Sequence, residues 1–107
     1  MKNVCFRYVY RDAANYKNHG EAVFSNREAM SEEEIKRKIR AALYDGVYFI
    51  ADQVDVEDKH FGVPDGPDDH PWHEFVEVDA TDKRAGKRDI ANFIGDLERA
   101  NRDGWKP

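Results

Sequence analysis

The chain has 107 residues, with 17 Lys plus Arg against 22 Asp plus Glu and a net charge of −5, a length that fits one domain. Its 40% hydrophobic and 12% aromatic content is too apolar for general disorder, and burial of about 60–70% of the unfolded surface makes disulfides or a structural metal dispensable. Cys5 is the only cysteine, so no intrachain disulfide forms, and the cytoplasm is the expected compartment. Arg7 and Arg11 interrupt the N-terminal apolar stretch before it reaches signal-peptide length, and Val47 to Ala51 falls far short of the roughly 20 residues of a spanning helix. Neither an export signal nor a membrane partner is expected.

Val4 to Tyr10 is rich in β-branched and aromatic types that suit a half-buried pleated surface, and predicts a first strand. Its Val4, Phe6 and Tyr8 side is the expected core face, because the other side would bury Arg7. Cys5 reads as a small buried apolar residue, with no His or second Cys near it in sequence to activate the thiol. Arg11 to Gly20 carries the turn formers Asp12, Asn15, Asn18 and Gly20, with His19 a turn residue among them. Glu21 to Ser25 then predicts a second strand that returns on the first as a hairpin. The first helix has the clearest start: Ser31 as N-cap, Glu34 in the capping-box place, and Met30 with Ile35 as a hydrophobic staple. Ile35, Ile39, Ala42 and Leu43 recur at helical spacing, Asp45-Gly46 stops the helix, and Val47 to Ala51 predicts a third strand.

Asp52 to Pro71 holds Gly62, Pro64, Gly66, Pro67 and Pro71 among many acids, so its second half is no regular element, and roughly 20 residues is long for a loop. Trp72 to Val78 predicts a fourth strand, and Asp79, Thr81 and Asp82 a turn. Ile90, Phe93, Ile94 and Leu97, at i, i+3, i+4 and i+7, predict a second helix, with Asp89 near its start and Arg99 and Arg102 near its end to suit the helix dipole. The expected class is α+β in the order ββαββα: a four-stranded antiparallel sheet with two helices packed on one face, in a single domain spanning 1–107. Two ββα units, 4–44 and 47–100, compose it; the alternative is a sheet split into two hairpins across a dimer interface.

Charge is divided along the chain. Between Asp52 and Asp79 stand ten acids and one base, Lys59, a local charge of −9, so the remainder carries +4. Such a block repels itself and stays solvated, and it steers cationic partners while repelling nucleic acid. Lys36, Arg37 and Arg40, with Lys83, Arg84, Lys87 and Arg88, are candidate phosphate contacts. Acids lie among them, and Glu33 stands four residues before Arg37, so an ion-paired solvated helix face is the preferred reading and nucleic acid the disfavoured partner. His60, His70 and His73 lie in or beside the acidic block, and His70-Pro71-Trp72-His73-Glu74 brings imidazole and carboxylate together, the usual ligands of divalent metals. On an extended strand positions three apart point to opposite faces, so His70 and His73 converge on one ion only if the chain turns at Pro71-Trp72.

Asn18-His19-Gly20 with Phe24-Ser25-Asn26, then Tyr48 to Val54, then Asp69 to Phe75, resembles a family of small uncharacterised bacterial proteins, over most of residues 16 to 75. The resemblance implies a bacterial or phage cytoplasmic origin and supplies no mechanism or site residue.

No partnered Ser or Cys nucleophile, glycine-rich phosphate loop or dinucleotide fingerprint is present, so the preferred reading is not an enzyme. It is a noncatalytic protein-interaction or regulatory module in which Phe61, Asp65, Asp68, Asp69 and Trp72 contact a protein partner, Trp105 being a further aromatic anchor. No cofactor is expected on that reading. The alternative is a metal-dependent or acid/base enzyme using His60, His70, His73 and Glu74, with a divalent metal as cofactor. Self-association into a homo-oligomer is left open.

Overall fold

Strand β1 (Asn3–Arg11) lies inside the sheet, with β2 (Lys17–Phe24) on one side and β4 (Trp72–Thr81) on the other, and β3 (Tyr48–Ile50) beyond β4. These elements come from a computed structural model that describes residues 2–12, 15–59 and 70–107. All pairings are antiparallel, in the order β2-β1-β4-β3. Helices α1 (Glu32–Ala41) and α2 (Ile90–Asp103) complete the expected ββαββα order, and a 3-10 turn, η1 (Ala51–Val54), follows β3 directly. Both hairpins belong to one sheet, because β1 and β4 of the same chain pair along residues 3–10 and 73–81. The alternative of two hairpins joined only across a dimer interface is thereby overturned.

The expected core face is the buried one. Val4, Phe6 and Tyr8 of β1 and Phe75 and Val78 of β4 form one cluster with Ile35 and Ile39 of α1 and Ile90, Phe93, Ile94 and Leu97 of α2. Phe6 meets Phe93 at 4.8 Å, and Phe93 stacks on Phe24 of β2 at 4.6 Å, which ties the sheet to α2. On the opposite face Cys5 is buried. Around it Arg7 reaches Glu21 and Asp79, Lys83 bonds Glu21 at 2.7 Å, and burial pushes the Cys5 thiol pKa up, away from reactivity.

Several local expectations shift. β2 begins at Lys17 rather than Glu21, so Asn18, His19 and Gly20 are strand residues. The hairpin closes at Asp12 and Tyr16, where the Asp12 N–H donates to Tyr16 O at 3.0 Å, the Asp12 carboxylate accepts the Tyr16 N–H at 2.9 Å and Asn15 takes a φ of 68°. Gly20 is in the strand for want of space: a Cβ there would lie 2.7 Å from Tyr8 Cζ and 2.9 Å from Lys59 Cγ. β4 runs on through Asp79 and Thr81, which pair with Cys5 and Asn3 instead of turning. Its register shifts between Arg7 and Tyr8, and this irregularity lets Phe75 and Val78, three apart, both face the core. The start of the expected 52–71 loop is η1, with Ala51 and Val54 buried; residues 60–69 lie outside the described part.

Both helix starts follow their caps. Ser31 Oγ accepts the Glu34 N–H at 3.1 Å, while the Glu34 carboxylate pairs with Lys38 at 3.4 Å rather than returning to the cap. That pair, and not Glu33 with Arg37, is the i,i+4 bridge on α1. Asp89 caps α2 through Ala91 N–H and a full capping box with Asn92, and it also accepts from Ser25 Oγ and Arg27 N–H at 2.8 Å. Burial pushes the Asp89 carboxyl up, but these hydrogen bonds outweigh it and hold the pKa below the usual aspartate value. The Arg88 guanidinium sits 5.3 Å over both Phe24 and Phe93 and donates to Val54 O, Asp55 O and Asp96.

Two substitutions test this packing. Phe93→Ala should lower stability by about 3–5 kcal/mol in urea unfolding, through lost transfer energy and the cavity left beside Phe6 and Phe24. Gly20→Ala should lower it by about 1–3 kcal/mol, since the Tyr8 ring and the Lys59 stem must both move; a neutral result would show that they give way freely.

Candidate functional site

The expected contacts Phe61, Asp65, Asp68 and Asp69, and the histidine His60, lie outside the described residues. Trp72 opens β4, paired with Ile50 of β3, and is half-buried. Around it the structure assembles an aromatic cluster. Tyr44 and Tyr48 flank the turn at Asp45 and Gly46, which take φ of 54° and 71°, and each donates its backbone N–H to the other's carbonyl, at 2.8 and 2.9 Å. This closed turn sets the Tyr44 ring flat against Trp72, with centroids 5.1 Å apart at 25°. Tyr48 and Trp105 approach the same indole edge-on, at 6.5 and 6.3 Å. The segment carrying Trp105 is tied to η1 by Gln53, whose amide bonds both the N–H and the C=O of Lys106. The Trp105 Nε1–H is itself buried with no hydrogen-bond partner among the described residues.

Two grooves share the Tyr44–Trp72 pair as a common wall. One, of about 340 Å³, is lined on its apolar side by Tyr44, Tyr48 and Trp72 and on its polar side by Arg11, Asp12, His70 and Glu74. The other, of about 430 Å³, runs over Asn101, Gly104, Trp105 and Pro107. Tyr44 is 56% exposed, unusual for an aromatic ring already in a stack.

The histidines occupy a different setting. His70 and His73 both pack on Tyr10, with ring centroids 5.0 and 5.2 Å away. The Trp72 N–H donates to His70 Nδ1, so that nitrogen carries a lone pair, and the proton sits on Nε2, 2.8 Å from Arg11 O. His73 has the opposite tautomer: Nε2 accepts the Lys59 N–H at 3.0 Å, and Nδ1 faces Pro71 O at 3.1 Å. His73 is also 3.4 Å from Asp58. Glu74 is carried elsewhere, held by Arg11 at 3.1 Å. The arrangement thus joins His70 and His73 around Tyr10 but spends their ring nitrogens on backbone groups, and it commits the Glu74 carboxylate to Arg11. Among the described residues no three His, Cys, Asp or Glu side chains gather as a metal-holding group.

These rings, with two tyrosines, anchor the chain on either side of residues 60–69. Tyr8 OH donates to Glu57 O at 2.6 Å, Tyr10 OH to His70 O at 2.8 Å, and Asn18 Nδ2 to Lys59 O at 2.9 Å. Burial, followed by the charges of Glu57 and Asp58, pushes the Tyr8 pKa up to about 12. Of the basic candidates, Lys36 pairs with Glu77, Lys83 with Glu21 and Arg88 with Asp96, while Arg40 lies over the Phe75 ring.

Sequence reasoning found Trp72 and Trp105 but missed Tyr44 and Tyr48. The available signal was their spacing around Asp45-Gly46, which places both at the mouth of one turn; the β3–β4 register that brings Trp72 beside them is not written locally. No family model matches the chain, and neither the comparison with curated proteins nor that with solved structures yields a match.

Tyr8 gives a direct test of the anchoring. Its native pKa is raised above the unfolded value near 10, so its contribution is complete below about pH 10 and is lost as pH rises toward about 12. Tyr8→Phe should lower neutral-pH stability by about 1 kcal/mol through the lost Glu57 bond, and should flatten the alkaline decline in an unfolding series between pH 9 and 12.

Proposed function

We propose that this protein is a noncatalytic interaction module whose Tyr44–Trp72–Trp105 surface receives a basic segment of a partner protein. The observation that carries this reading is the stack of the exposed Tyr44 on the half-buried Trp72, standing between two grooves. Rigid aromatic rings lose little conformational entropy on binding and dominate the energetics of protein interfaces, and a pair with a groove on each side offers walls for two successive side chains. Trp105 adds a third ring, edge-on to Trp72, whose buried indole N–H has no hydrogen-bond partner among the described residues. The sign of the partner follows from charge. Asp12 lines one groove, Asp45 adjoins Tyr44 on the exposed turn, and the chain carries −5 overall. Phe61, Asp65, Asp68 and Asp69 extend the same reading to the acidic segment.

Selection from a random peptide library on the immobilised full-length protein tests the proposal. Enriched peptides should combine Lys or Arg with aromatic or proline residues, and their binding should weaken with added salt and fall at least about tenfold in Tyr44→Ala, the loss of one interface anchor. Enrichment without such a pattern, or binding that Tyr44→Ala leaves unchanged, would overturn it.

A further inference from the structure

The two edges of the sheet are finished differently. On the outer side of β3, Tyr48 has both its N–H and its C=O bonded to Tyr44. Among the described residues the outer side of β2 is covered only over its last part: Val23 O accepts the Gly86 N–H, Ser25 N–H donates to Arg88 O, and Ser25 O accepts the Ile90 N–H. In an antiparallel strand the N–H and C=O of a residue point to the same side, and the side alternates from residue to residue. The outward direction of Val23 therefore fixes that of Glu21, His19 and Lys17. Among the described residues no backbone group reaches these three on that side, and their side chains are exposed.

We propose that the Lys17–Glu21 edge of β2 pairs antiparallel with the same edge of a second copy of this chain, about a two-fold axis through His19. In that register Lys17 faces the partner's Glu21 twice and His19 faces the partner's His19. All six outward backbone groups are matched, and the two sheets become one of eight strands. Charge complementarity selects the register. A shift by two residues sets Lys17 opposite the partner's His19 and leaves Glu21 beyond the pairing. Glu21 is ready to receive a further cation: the hydrogen bond from Lys83, with Arg7 behind it, holds its carboxyl below the usual glutamate range, and a carboxylate has acceptor sites beyond those two. The Gly86–Ile90 segment limits the pairing to these residues by occupying the edge from Val23 onward. The edge is also short and charged, which blocks open-ended strand addition while a two-fold pair remains allowed.

Sedimentation equilibrium on the full chain tests this. A three-pair interface is small, so dimer should build up between about 10 μM and about 1 mM. His19→Pro removes an outward N–H at an edge position that tolerates proline, and should give monomer throughout with an unchanged circular dichroism spectrum. Lys17→Glu alone and Glu21→Lys alone each set like charges opposite one another and should also be monomeric, yet an equimolar mixture of the two should form the dimer again, because each copy supplies the charge the other lacks. Wild-type protein that stays monomeric at about 1 mM, a dimer that His19→Pro leaves intact, or a mixture that fails to reassociate would each overturn the proposal.

Discussion

The fold depends on the packing of one ring. Phe6, fully buried in the inner strand β1, has the rings of Tyr8, Phe49, Phe75 and Phe93 within 4.8 to 5.6 Å. Those contacts reach β3, β4 and α2 at once, and through Phe93 they reach Phe24 of β2. The core side of β1 then changes character along its length. Val4 and Phe6 lie under the helices, whereas Tyr8 and Tyr10 carry hydroxyls that bond the backbone at Glu57 and His70. A helix cannot satisfy such groups with its own spent carbonyls, but extended chain can. The acidic stretch is joined to the sheet at the polar end of an otherwise aromatic face for that reason.

What could be read from the sequence divides along the same physical line. The helices and their caps were legible because Ser31, Asp89, Ile35, Ile39, Phe93 and Leu97 act over one or two turns of chain. The core face of β1 was legible from its alternation. The start of β2 was not, because Asn18 and Gly20 favour turns in isolation, and only the Tyr8 ring beneath Gly20 makes glycine a strand residue there. Nor was the irregularity in β4, since spacing alone sends Phe75 and Val78 to opposite faces until β1 sets the register. The candidate site follows suit: Trp72 and Trp105 drew notice as large aromatics, but their meeting with Tyr44 and Tyr48 depends on strand pairing.

Charge close together along the chain is likewise not charge close together in space. The acids of β4 that add to the block around residues 52–79 are met by the scaffold: Glu74 by Arg11, Glu77 by Lys36, and Asp79 by Arg7. The hydrogen bond from Lys36, joined by that from the Val78 N–H, holds the Glu77 carboxyl below its usual range. The basic residues of α1 and of the segment before α2 are in part the counterions of this sheet. Within the 52–58 stretch Glu57 is held by Lys59 and Asp58 lies 3.4 Å from His73, while Asp52 and Asp55 are exposed.

The pairing of β1 with β4 joins residue 3 to residue 81. On a ribosome the first hairpin therefore emerges with Phe6 and Tyr8 already facing one way and nothing to cover them until most of the chain has followed. Closing so long a loop is slow relative to local structure, and the uncovered aromatic face is adhesive during the wait. A sheet that closes this late in the chain leaves its aromatic face uncovered for longer than one built only from neighbouring strands.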